Sequence, residues 1–208
     1  MIRQETPKDY ETVYEVVRQA FACAEHSDGN EQDLVTALRK SDAFVPELSL
    51  VAEQDGKIVG YILFTKIDIG GRTALALAPL AVLPAYQRQG IGSALIREGH
   101  RIAGALGYPC SVVLGSEKYY PRFGYVPADR FGIRLPFDVP AENFMAIRLT
   151  QDAPSIRSTD ALPIPGTDAL PIRGADALPI QGTDALPIQG TDALPIQGVV
   201  KYAEEFGL

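Results

Sequence analysis

Sulfur and imidazole are scarce in this 208-residue chain: Cys23 and Cys110 stand far apart, and only two histidines occur. With no C-x-x-C pair and no His/Cys cluster, neither a disulfide framework nor a metal site is expected, and a reducing cytoplasm is the default compartment. No run approaches the roughly 18 apolar residues of a membrane span, and no cationic leader opens the chain, so no membrane partner is expected. Positive charge is also short, the net charge being −7. Residues 151–208 hold eight acids and three bases; the first 150 hold eighteen acids against sixteen bases. That balance argues against a broad nucleic-acid surface, which needs a basic face.

Apolar material is plentiful: hydrophobic residues make up 46% of the chain, enough for a sizeable core in one globular domain. The richest stretch is an apolar strand through Leu80, Ala81 and Val82 that passes Pro84 into Gln87, Arg88, Gln89, Gly90, Ile91, Gly92 and Ser93. After Gly92, residues Ala94, Leu95, Ile96, Ile102, Ala103 and Leu106 supply a helical apolar stripe, so Gln89 to Ser93 form a first turn with unpaired backbone N–H groups. Those donors and the positive end of the helix dipole favour an anion. Two glycines let the backbone approach oxygen atoms closely, and Arg88 adds a cation. The pattern lacks the Gly-Lys-Ser/Thr of a P-loop, and a dinucleotide fingerprint wants Gly or Ala where Leu95 stands. The bland alternative is a glycine-opened amphipathic helix with no ligand.

Around this stretch, Met1 to Glu5 reads as a strand, and Thr6-Pro7-Lys8-Asp9 as a capped helix start. Val13, Val16, Val17, Ala20 and Phe21 form that helix's buried face. A second helix lies near Gln32 to Lys40. Strands at Leu48 to Glu53 and Ile58 to Thr65 join at Asp55-Gly56, a two-residue hairpin signal. Thr73 to Val82 is a further strand before the Gln89 to Leu106 helix, which Gly107 stops. Cys110 to Leu114 is a short apolar strand, followed by a brief helical piece through Tyr119, Tyr120, Pro121, Arg122 and Phe123, closed by Gly124. The order defines an α+β fold with a mixed sheet.

Strand, proline, Q-x-x-G-x-G (Gln87, Gly90, Gly92) and long helix closely resemble the coenzyme A site of the GNAT family of N-acetyltransferases. The element order is also that of the GNAT fold. Tyr120, four residues before Gly124-Tyr125, resembles the family's tyrosine near the cofactor thiol. Pro136 to Met145, with the Tyr-Tyr and Arg-Phe-Gly runs, resembles the family's uncharacterised YhbS-like bacterial branch. The likeness covers roughly residues 1–150 and the terminal Val199 to Phe206.

What the resemblance implies is a mostly antiparallel mixed sheet flanked by helices, and direct acetyl transfer from acetyl-CoA to an amine. The partners are then a small-molecule or peptide amine and, at most, a second copy of the chain. Leu80, Ala81, Val82 and Gln87 to Ser93 would hold the cofactor, a backbone N–H near Leu80 to Val82 would polarise the thioester, and Tyr120 would protonate the departing thiolate. The alternative for Tyr120 is core packing beside Tyr119 and Phe123. The acid that family members often carry on the strand before the proline is missing, and Val113 stands where many have asparagine. Glu117, Glu25, His26 and Glu31 flank the expected cleft as candidate bases, with solvated surface residues as the alternative reading. A coenzyme A binding regulator or scaffold that has lost transfer is the competing function.

From Thr159 the octapeptide T-D-A-L-P-I-x-G repeats five times to Gly198, and Gln151 to Ser158 is a degraded sixth copy. A proline in each unit excludes a continuous helix. The domain division expected is therefore 1–150, an insertion over 151–198, and a closing strand over 199–208. The insertion is expected to be an extended mobile loop; an eight-residue solenoid, or a multivalent binding array carried by the domain, is the alternative. Excision would join Leu149 and Thr150 to Val199 and Val200, two strand-like pieces expected to pair as a closing hairpin.

Overall fold

The computed structural model describes residues 1–22, 29–149 and 196–207. The upstream repeats, Glu25 and His26 lie outside the described residues. Among the described residues nine strands form the sheet: β1 (Ile2–Gln4), β2 (Ser49–Gln54), β3 (Lys57–Ile69), β4 (Arg72–Val82), β5 (Cys110–Leu114), β6 (Val126–Pro127), β7 (Ile133–Arg134), β8 (Phe144–Arg148) and β9 (Gly198–Lys201). The helices are α1 (Tyr10–Phe21), α2 (Glu31–Leu38) and α3 (Ile91–Ala105), and short 3-10 turns fill the connections. Strand order is β1-β2-β3-β4-β5-β8-β6, antiparallel except for β4 beside β5, while β9 pairs with both β3 and β7. No helix among the described residues is long and apolar enough to cross a membrane.

Local signals set most of these elements. Asp9 accepts from the Thr6 backbone N–H and hydroxyl, both at 2.8 Å, so the capping box forms as expected one turn ahead of α1. Arg3 donates two further bonds to Asp9 and holds its carboxyl well below the usual carboxylate range. Asp55 and Gly56 take φ of 51° and 73°, the paired positive values of a type I′ hairpin. β3 runs four residues beyond the expected Thr65, because Lys66-Ile67-Asp68-Ile69 keeps alternating and Gly70-Gly71 makes the next hairpin.

β3 is apolar on both faces, as a central strand must be. Ile62 and Phe64 pack under α3 with Leu75, Leu95, Ile96 and Tyr125, whereas Tyr61 and Leu63 pack under α1 and α2 with Val13, Val17, Val35 and Leu38. Between α2 and the sheet, Arg39 pairs with buried Glu5, which also accepts from Ser49 Oγ at 2.6 Å; Tyr61 completes the network at 2.8 Å from Ser49.

Among the described residues the closing hairpin does not form. β5 pairs the whole of β8, β6 pairs its other side at Met145 and Ala146, and β9 is not among its partners. β9 instead pairs with Asp68 and Ile69 at the end of β3, where β2 has already stopped, and with Ile133 and Arg134 of β7. Its strand starts at Gly198, whose own Cβ would lie 2.9 Å from the Gly70 backbone, so both glycines serve a close chain crossing. Ile196, in the last octapeptide, is 2% exposed and packs with Ile69, Ile133 and Val200. The repeat's final Ile-Gln-Gly thus belongs to the domain.

Candidate functional site

β4 and β5 run side by side only at Leu75–Ser111 and Ala76–Val112. Past that point β4 continues to Val82 paired with β3 alone, across a register shift opposite Pro79, which has no N–H to give a ladder. Among the described residues, the β5-facing edge of residues 77–82 therefore has no strand partner.

A cavity of about 490 Å³ opens at this parting. Its walls are Leu80, Val82, Tyr86, Gln87, Arg88, Gly90, Ile91, Gly92, Ser93, Tyr119 and Arg122. α3 points its start into the cavity with Gly90 as N-cap at φ +86° and no capping side chain. The first helical bond runs from the Ala94 N–H to the Gly90 carbonyl at 2.9 Å. The N–H groups of Ile91, Gly92 and Ser93 consequently have no helical acceptor and, with the helix dipole, favour an anion there.

Eight of the ten expected cofactor residues line this cavity. Ala81 does not: its side chain is buried on the α1 face, leaving only its backbone to the site. Gln89 does not either, because its amide donates to the Ala85 carbonyl at 3.0 Å. Gln87 lines the wall and also fastens the loop, donating to the Val82 carbonyl at 3.0 Å.

The two tyrosines divide. Tyr119 faces the cavity, its hydroxyl 2.7 Å from where a Cβ on Gly92 would stand. Tyr120 lies behind it, edge-on to Tyr119 and Tyr125 and against Gly115 at the end of β5. Burial, with Tyr119 adding to it, pushes the Tyr120 phenol well above the ordinary tyrosine range, so at neutral pH it keeps its proton. Below it Tyr125 donates to Ser111 Oγ at 3.2 Å and meets His100 Nε2 at 3.1 Å. Burial pushes the His100 imidazole down to about 4, leaving it neutral.

Of the candidate bases, Glu117 is exposed and engaged by Asn143 and Lys118, and Glu31 stands at the start of α2 with one buried carboxylate oxygen unpaired. Val113 points into the core under α3. Tyr119 and Arg122 were not singled out from the sequence as site residues. The Tyr-Tyr pair was visible, but which ring faces the cavity is decided by packing.

A parallel strand pair that parts beside a glycine-opened helix makes an anion-favouring cleft, and the comparisons give the chain a family. Residues 46–127 match the acetyltransferase (GNAT) domain model. The chain is 39% identical over 140 residues to the uncharacterized N-acetyltransferase YjhQ of Escherichia coli K12, covering 65% of this chain and 75% of that protein. Among solved structures, the Escherichia coli GNAT family N-acetyltransferase YhbS in complex with CoA superposes with a TM-score of 0.73 at 26% identity, covering 100% of this chain and 92% of that one. A GNAT family acetyltransferase from Brucella melitensis in complex with acetyl-CoA gives a TM-score of 0.62 at 36% identity, with 74% of this chain and 90% of that chain covered. This chain belongs to the GNAT family of N-acetyltransferases.

Proposed function

We propose that the chain transfers an acetyl group from acetyl-CoA directly to an amine on a small molecule or peptide, in the cytoplasm. The observation that carries this reading is the single cavity shared by an unpaired β4 edge and the uncapped start of α3. A diphosphate fits the N–H groups of Ile91 to Ser93 with the Arg88 cation beside them. An amide-bearing pantetheine arm fits the edge of residues 77–82, which can accept it as an added strand. The CoA and acetyl-CoA bound to the YhbS and Brucella relatives support the same ligand class.

In this reading a backbone N–H between Leu80 and Val82 polarises the thioester carbonyl as the amine attacks its carbon. As the carbon–sulfur bond breaks, the leaving thiolate takes a proton from the Tyr120 hydroxyl through a water, since Tyr120 stands behind Tyr119 rather than in the cavity wall, and solvent returns a proton to the phenol. Burial makes Tyr120 a weaker acid, and the same burial disfavours a bare thiolate nearby and so favours its protonation. β4 carries no acid, so the amine's surplus proton leaves through water.

That missing acid also supports a second reading, a coenzyme A binding module without transfer. Calorimetric titration with acetyl-CoA, followed by thiol release with a panel of amines, tests both. Binding with release supports the transferase, binding without release the module, and no binding overturns the site.

A further inference from the structure

The tight spot in the cavity is the contact between Tyr119 and Gly92. A Cβ at Gly92 would meet the Tyr119 hydroxyl at 2.7 Å, while its next neighbours, Val82 and Leu80, stand at 3.6 and 3.8 Å. Tyr119 cannot simply swing aside, since its ring is packed edge-on to Tyr120 and Phe123 at centroid distances of 5.3 and 5.2 Å, with the Arg122 guanidinium 5.7 Å above it. Among the described residues its hydroxyl has no hydrogen-bond partner. It is thus a fixed O–H donor held over the first turn of α3, beside three backbone N–H groups that are also without acceptors.

We propose that Tyr119 is a cofactor-positioning residue, its hydroxyl completing the donor set of the α3 start, and that position 92 is glycine to leave room for that hydroxyl. The inference rests on the coenzyme A reading above. A phosphate oxygen bound by Ile91 to Ser93 would receive one more hydrogen bond from the phenol, whose hydroxyl lies beside Gly92. This assigns the two neighbouring rings separate tasks: Tyr119 binds, Tyr120 protonates.

A double-mutant cycle on CoA affinity, read by calorimetry, tests this. Tyr119→Phe keeps the ring packing and should weaken CoA about tenfold, raising KM for acetyl-CoA while kcat changes less than about twofold. Gly92→Ala in the wild-type background should also cost about tenfold, by displacing the hydroxyl. In the Tyr119→Phe background, where that oxygen is gone, Gly92→Ala should cost less than about twofold. Melting temperatures of all four proteins check that the fold is held. If Gly92→Ala costs the same in both backgrounds, or Tyr119→Phe binds CoA as the wild type does, the proposal is overturned while the coenzyme A reading stands. Failure of the wild type itself to bind CoA would overturn that reading.

Discussion

The two ends of the β4–β5 pair are built from the same kind of strand and serve opposite purposes. At the Leu75–Ser111 end the strands are in register, and Ile67, Ile69, Cys110, Val112, Ile133, Phe144, Ile196 and Val200 seal the space beside them. At the Leu80 end the strands part, the β4 edge is unpaired, and α3 brings uncapped N–H groups to the gap. The sealed end satisfies its backbone internally and gains apolar burial. The open end leaves backbone donors that only a ligand or water can satisfy, and on the proposed reading the cofactor supplies their acceptors.

The largest test of this contrast acts at the sealed end. Crossing from the end of β8 to β9 passes four strand spacings by way of β5, β4 and β3, about 19 Å. Deleting residues 151–197 leaves only Thr150 between Leu149 and Gly198, about 7 Å of chain, and also removes buried Ile196. We expect that protein to lose β9 from the sheet and about 3 kcal/mol or more of stability. Deleting 151–190 keeps the last octapeptide, whose five residues before Ile196, together with Thr150, span about 23 Å. That protein should fold, bind acetyl-CoA unchanged and gain about 1–2 kcal/mol from the shorter loop. Urea melts and acetyl-CoA titrations of the pair check it. Equal stability of the two deletions would break the claim that Ile196 and β9 close the sealed end.

The next effect is at the open end. Tyr120→Phe keeps the ring against Gly115 and Tyr125 and removes the proton, so kcat should fall about 100-fold, about 2.7 kcal/mol, with acetyl-CoA affinity nearly retained. Wild-type turnover with a good amine acceptor would return Tyr120 to pure core packing.

How much of this was readable beforehand follows the range of the interactions. The Thr6–Asp9 cap and the Asp55-Gly56 hairpin are written within a few residues and appear where the pattern put them, whereas α3 starts at Ile91, two residues after the expected Gln89, because Gly90 takes a left-handed φ of +86° and serves as N-cap. The extension of β3 to Ile69 was also there to be read, in the Lys66–Ile69 alternation and the Gly70-Gly71 pair. The partner of β9 was not, because Val199 and Val200 suit any free edge, and only the packed sheet shows that they take the end of β3 and β7. Likewise the sequence placed a tyrosine pair at the cavity but not which ring faces it, since that depends on Gly92 and Gly115 giving the two rings different seats.

A smaller effect joins the two ends through His100. Its folded value of about 4 lies below the ordinary 6.5, so the unfolded chain binds the extra proton first. Stability should be level above about pH 6.5 and fall as pH drops towards 4, by about 2 kcal/mol at pH 5. Asp9, whose carboxyl is held low by Arg3, adds its loss only below about pH 4. His100→Gln should flatten the pH 6.5–5 window in denaturant melts; an unchanged slope would show that another group sets it.

The claim at the centre is that the start of α3 receives the cofactor's diphosphate. Gly90 offers the cleanest probe, because an added Cβ there meets nothing within 4 Å and Asn and Asp both tolerate its φ of +86°. Calorimetry with CoA on Gly90→Asp and Gly90→Asn, which share shape and backbone strain but differ in charge, isolates the electrostatics. The account predicts that Gly90→Asp binds CoA at least about tenfold more weakly than Gly90→Asn, about 1.4 kcal/mol, with the difference shrinking as salt is raised. Equal affinity of the two variants would contradict it.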